Sequence, residues 1–134
     1  MSQKMISSEE EVKEFLKELK EILTDPRFDI AMDLDILPKK KSESPIDLYT
    51  TANTLIALDF DKDDVLNQLL ALEISEYMET FIDDKDNTFP PFFTFAKLIK
   101  NRDVYVKIRD RQNCKVFCVS FHFARFPFSD NLPY

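Results

Sequence analysis

The 134 residues include no glycine, one histidine and two cysteines, and each scarcity removes a class of chemistry. Without glycine there is no phosphate-cradling loop of either nucleotide-binding type, whose backbone must approach phosphate unobstructed by Cβ atoms. One histidine, His122, excludes a His-rich metal cluster. It stands near Ser120 and Cys118 only in sequence, and strand alternation alone builds no nucleophilic triad. Cys114 and Cys118 lie four apart in a predicted strand, roughly 13 Å at about 3.3 Å per residue, so they do not bridge each other. They read as small buried hydrophobes rather than a redox pair.

Long apolar runs are also missing: no stretch of about 18 apolar residues exists to cross a bilayer. The start, Met1 to Glu11, is polar and acidic, unlike a secretory leader. The expectation is a cytoplasmic protein with no membrane association.

What is present is 44% apolar residues with 13 Phe, enough for one core in one domain spanning residues 1–134. The net charge of −7 is unevenly spread. Residues 1–96 carry 10 Lys/Arg against 22 Asp/Glu, a net −12, and residues 97–134 carry 8 against 3, a net +5. An acidic segment joined to a basic one directs attention to the C-terminal third as the part that meets an anion, or as strands with a merely solvated outer face.

The hydrophobic period predicts helices first and strands later. Ser8 and Glu11 form a capping box ahead of Val12, Phe15, Leu16, Leu19, Ile22 and Leu23, and Asp25-Pro26 ends that helix. A loop over Asp33 to Ser44 follows, entered by an extended piece at Phe28 to Met32. It carries Lys39, Lys40 and Lys41, which read as a solvated turn or as phosphate contacts. A second helix is expected from Ser44 and Pro45 through Leu48, Tyr49, Ala52, Leu55 and Ile56, and a third from Asp61 through Val65, Leu66, Leu69, Leu70 and Leu72. Ser75 is read as capping a short turn through Met78. The acidic groups at Asp59, Asp61, Asp63, Asp64 and at Asp83, Asp84, Asp86 read as caps and solvated charge rather than a cation site.

From Phe92 the period becomes two, predicting strands Phe92 to Ile99, Val104 to Arg109 and Lys115 to Ala124. The connections Lys100 to Asp103 and Asp110 to Asn113 contain Asn, which suits a chain with no other inexpensive route to positive φ. The fold class is therefore α+β, amphipathic helices on a C-terminal antiparallel sheet of three or more strands. On the middle strand Val104, Val106 and Ile108 point to the core, and Tyr105, Lys107 and Arg109 line the other face. With Lys97 and His122 on the flanking strands, this row is either a solvated face or a site for RNA cleavage by 2′-hydroxyl attack. That chemistry needs a proton-transfer pair, from Tyr105 or His122, and positive charge, from Lys97, Lys107 and Arg109. Arg125 and Tyr77 are added as substrate-binding residues, one cationic and one aromatic.

At these residues the chain resembles the motility quorum-sensing regulator family of messenger-RNA-cleaving toxins. The resemblance rests on Leu58-Asp59-Phe60-Asp61, Leu72 to Tyr77, Phe95-Ala96-Lys97, Asp103-Val104-Tyr105-Val106-Lys107-Ile108 and Val119-Ser120-Phe121-His122. Phe126-Pro127-Phe128 and Pro133-Tyr134 resemble longer-tailed relatives. It implies a fold related to bacterial ribonuclease toxins, metal- and cofactor-independent cleavage of single-stranded RNA, growth inhibition and neutralisation by a cognate antitoxin protein. By position, Tyr105 and Lys107 match the family's central-strand tyrosine and lysine, Lys97 matches a lysine of similar relatives, and His122 stands where some members have lysine. Glu79 departs from the pattern, since some members are basic there, and no counterpart of a catalytic glutamine appears around Phe92 and Phe93.

Overall fold

A tight turn without glycine organises the sheet. Lys100 (φ 51°) and Asn101 (φ 63°) both adopt left-handed backbone between Ile99 and Arg102, which pair across the hairpin. Two consecutive positive φ values define the mirror-image turn whose twist matches that of the strands. Asn tolerates this conformation; Lys does so at a cost of about 1–2 kcal/mol. Lys100 is anchored by its ammonium, which donates to the Leu58 carbonyl at 2.7 Å and lies 5.3 Å from the Phe60 ring centroid.

The computed structural model describes residues 2–83, 89–111, 114–128 and 131–134. In chain order the elements are β1 (Ser2–Met5), α1 (Glu9–Thr24), α2 (Ile30–Asp33), β2 (Leu34–Ile36), α3 (Thr51–Leu58), α4 (Lys62–Leu70), a 3₁₀ turn (Ile74–Glu76), β3 (Tyr77–Asp83), β4 (Phe92–Ile99), β5 (Arg102–Arg111) and β6 (Lys115–Phe123). The architecture is α+β, with one six-stranded sheet in the order β1-β3-β4-β5-β6-β2, antiparallel except for the β2–β6 pair. The expected meander β4–β5–β6 is present, extended on both sides by strands that the hydrophobic period does not reveal.

The helix starts follow their caps. Ser8 and Glu11 bond reciprocally at the head of α1, and Asp61 and Asp64 do the same at α4. Other expectations fail. The second helix begins at Thr51 with Thr50 as cap, not at Ser44, whose region folds as turns: Asp47 N–H donates to the Ser44 carbonyl at 3.0 Å. Phe28 to Met32 is not extended but leads into α2, and the predicted loop contains β2, three residues long. The turn at 74–76 begins at Glu73 rather than Ser75, and Tyr77 and Met78 open β3. Cys118 is buried in β6, where the apolar surroundings push its thiol up to about 12, whereas Cys114 precedes the strand, exposed, at φ 58°. Asp84, Asp86, Gln112 and Asn113, named above in an acidic group and a connection, lie outside the described residues.

One face of the sheet carries the core. Phe15 of α1 stacks on Phe93 with ring centroids 4.1 Å apart, and Val104, Val106, Ile108 and Phe121 are fully buried beside them. Beyond the short β2, the free edge of β6 is closed by α3. Thr51 Oγ1 accepts from Phe121 N–H at 3.1 Å and Thr54 Oγ1 from Phe123 N–H at 3.0 Å, so side chains replace the missing neighbouring strand. Among the described residues no helix is long and apolar enough to cross a membrane.

Candidate functional site

The strand period sets the site. On β5, Val104, Val106 and Ile108 fill the core, which obliges Tyr105, Lys107 and Arg109 to the opposite face. Register then brings neighbours to them: Tyr105 pairs with Ala96 and His122, Lys107 with Thr94 and Ser120, Arg109 with Phe117. A bulge in β6 at Val119 shifts the pairing between Lys107 and Ile108, so both Ser120 and Phe117 fall opposite outward-facing residues of β5. Ser120 is itself fully buried, and its hydroxyl has no hydrogen-bond partner among the described residues.

Across this face cations and aromatic rings alternate. Lys107 Nζ lies 4.0 Å from the Phe81 ring centroid and 5.2 Å from that of Phe92. The Arg109 guanidinium is 4.5 Å from Phe92, 5.1 Å from Phe89 and 5.7 Å from Phe117, and Arg111 is 4.1 Å from Phe117. Lys4 of β1 continues the series 5.7 Å from Phe81. Rings hold these cations in place. Carboxylates touch the series at its margins, Glu79 at 4.0 Å from Lys4 and Asp35 at 2.9 Å from Arg111.

Beside the series, His122 and Tyr105 stack with centroids 5.4 Å apart at 29°. His122 Nδ1 lies 2.9 Å from the Phe123 carbonyl, which can only accept, so Nδ1 carries the proton and the neutral ring exposes a lone pair at Nε2. Burial depresses the His122 pKa most; Lys40 and Arg125 add to the shift, and the Phe123 carbonyl and Glu43 oppose it. Burial likewise lowers Lys107, helped by Lys40 and Lys4 and opposed by Glu79. The Tyr105 phenol is pushed up to about 12 by burial and then by Glu79, which keeps it a proton donor. These two rings form part of the wall of a cleft of about 420 Å³ that also includes Lys40, Glu43, Met78, Arg125 and Phe126 to Phe128.

The sequence-predicted residues thus divide. Tyr105, Lys107, Arg109 and His122 share one face. Lys97 does not converge with them: it pairs with Val104, points to the core face, is 7% exposed, and its ammonium sits 3.3 Å from the Glu76 carboxylate and 3.5 Å from the Ala71 carbonyl. Tyr77 is also on the core side, fully buried, with its hydroxyl 2.8 Å from Ser7 N and 2.6 Å from Thr80 Oγ1, so it is not on a surface that contacts substrate. Both misplacements have one kind of cause, since strand parity at these positions depends on register with a neighbouring strand, β5 for Lys97 and β4 for Tyr77, that the sequence does not display. Arg125 lines the cleft, but Asp47 at 2.6 Å and Glu43 at 3.2 Å already compensate its charge.

Of the three loop lysines, Lys39 donates to the carbonyls of Lys40 and Glu43, while Lys40 reaches the cleft. The hydrophobic period does not reveal Phe81 and Lys4, because it does not reveal β1 and β3; the alternation of Phe117 with the core residues Val116 and Cys118 is a readable signal. Among the described residues no group of three metal-ligating side chains converges, and Asp61 serves as a helix cap. No protein-family model matches this chain, and no curated protein is significantly similar to it.

Proposed function

We propose that this protein is a metal-independent endoribonuclease acting on single-stranded RNA, the toxin of a pair with a cognate antitoxin protein, its fold related to the bacterial ribonuclease toxins and its setting the cytoplasm. The observation that carries the reading is the stacked Tyr105–His122 pair, with Nε2 available, at the end of a series of ring-held cations. Rings stack unpaired bases and cations track the phosphates, a combination suited to single strands. The resemblance to the motility quorum-sensing regulator family supplies the toxin setting.

In the reaction His122 Nε2 takes the 2′-hydroxyl proton, the 2′-oxygen attacks the adjacent phosphorus, and the bond from phosphorus to the 5′-oxygen breaks. The leaving oxygen receives a proton from the Tyr105 phenol or from water. Lys107 and Lys40 stabilise the charge on the pentavalent phosphorus. The products are a 2′,3′-cyclic phosphate and a 5′-hydroxyl. Incubating the protein with mixed-sequence RNA in EDTA is expected to yield cuts with those ends; RNA left intact at high protein concentration overturns the reading.

A second reading is favoured by Glu79, whose carboxylate acts on both Tyr105 and Lys107 and occupies the place of a basic residue in some toxins. Under it the protein keeps the toxin fold but binds without cutting, as an antitoxin sponge or an acidic decoy. Binding of RNA or of an antitoxin with no cleavage and no growth arrest on expression distinguishes it.

A further inference from the structure

On the opposite side of the sheet an apolar cleft of about 530 Å³ runs between α1 and the end of β5. Its floor is the stacked pair Phe15 and Phe93 with Pro91 beside them. Its rim is formed on one side by Glu10, Glu14 and Glu18, spaced four apart and therefore stacked along one stripe of α1, and on the other by Asp110. Among the described residues no basic side chain lines it.

The rim is not explained by the needs of the fold. Carboxylates in a first helical turn are stabilised by the helix dipole, which accounts for Glu10, but Glu14 and Glu18 lie one and two turns further on, where like charges four apart repel. Among the described residues none of the three forms an ion pair, although Lys13 on the same helix pairs with Glu9. Asp110 adds an independent sign: its Oδ1 is buried and has no hydrogen-bond partner among the described residues. Four carboxylates with no ion pair among the described residues, set around aromatic rings, favour an occupant that is both cationic and apolar. Three of the four are strung along about 12 Å of helix rather than gathered about a point, which suits a row of cationic side chains better than a single metal ion.

We propose that this cleft is a docking site for a basic amphipathic segment of a partner protein, which sets an apolar side chain on Phe15 and Phe93 and Arg or Lys against Glu14, Glu18 and Asp110. Helix-in-groove recognition of this kind combines an apolar anchor with flanking charge. RNA is repelled here, so the site is separate from the cationic face and independent of whether that face cuts RNA.

The test is fluorescence polarisation of a labelled helical peptide of about 15 residues, with Arg at i, i+4 and i+8 and Leu beside them, added to the whole protein. Saturable binding is expected, weakened about tenfold or more by Glu14→Lys/Glu18→Lys and by replacing the peptide's Leu with Ser. The equal charge change Asp63→Lys/Asp103→Lys, at exposed positions away from the cleft, is expected to change it less than about twofold. Glu14→Gln/Glu18→Gln serves if the lysine variant does not fold. Equal weakening by both charge changes, no saturation at about 1 mM peptide, displacement of the peptide by one equivalent of calcium, or occupation of the cleft by a second copy of the chain would each overturn the proposal.

Discussion

The imidazole of His122 is held twice, by its stack on Tyr105 at 5.4 Å and by the 2.9 Å hydrogen bond from Nδ1 to the Phe123 carbonyl. Ring plane and tautomer are therefore fixed together, and Nε2 is left as the one site for proton transfer. The same burial that orders the ring disfavours its charged form.

That depressed pKa gives a pH dependence. Cleavage is expected to rise along a limb centred below 6.5 and to level off toward neutrality, because the base must be neutral. Stability follows the same sign: the unfolded chain takes the proton first, so His122's contribution is complete above 6.5 and is lost as pH falls through its folded value. Rate and urea-denaturation profiles from pH 5 to 8, with His122→Ala as the flattened control, check both; an acid limb that persists in His122→Ala removes the histidine from the chemistry.

Opposite faces of β5 are expected to separate chemistry from folding. Lys107→Ala is expected to stay folded and lose roughly 10² in cleavage rate, as is common when one charge-stabilising group is removed. Val106→Asp, at a fully buried position, places an unpaired carboxylate in the core at a cost of several kcal/mol and is expected to unfold the domain. Cleavage rate beside thermal melting decides; a folded Lys107→Ala with an undiminished rate moves the site off this face.

Asp110→Asn is expected to stabilise the protein at pH 8. Burial and then Glu18 raise the Asp110 carboxyl from 3.8 to about 6, so the native state holds its proton longer than the unfolded chain does, and stability falls as pH rises through that window. Discounted for solvent screening of a partly exposed group, the gain is about 1–2 kcal/mol at pH 8, shrinking toward pH 4. Urea midpoints at the two pH values measure it, and an equal gain at both would assign the effect to packing.

Thr54→Val tests the closure of the β6 edge. The substitution preserves shape but removes the acceptor of Phe123 N–H, leaving a buried donor unpaired at a cost of about 1–3 kcal/mol. Faster amide exchange at Phe123 is the specific sign; unchanged exchange with lowered stability would point elsewhere.

The readable parts of the chain are those whose partners are near in sequence. Ser8 with Glu11 and Asp61 with Asp64 announce their helices because a capping box closes within one turn. Alternation along Val104 to Arg109 announces β5 and the common face of Tyr105, Lys107 and Arg109, because side-chain direction in a strand repeats every two residues. The basic character of the last third is likewise a property of composition.

What tertiary structure alone decided is everything set by pairing at a distance. β1 and β2 are short segments whose strand conformation exists only because β3 and β6 supply hydrogen-bond partners some 80 residues away, as in Ser2 with Asp83 and Leu34 with Val116. Phe81 and Lys4 reach the cationic face through those strands, and Lys40 reaches the cleft through a loop. Lys97 and Tyr77, polar enough to suggest a site, turn to the core because register with β5 and with Phe95 fixes their parity, and Glu76 and Thr80 then satisfy them. Local periodicity tells a strand which residues share a side; only its neighbours tell it which side that is.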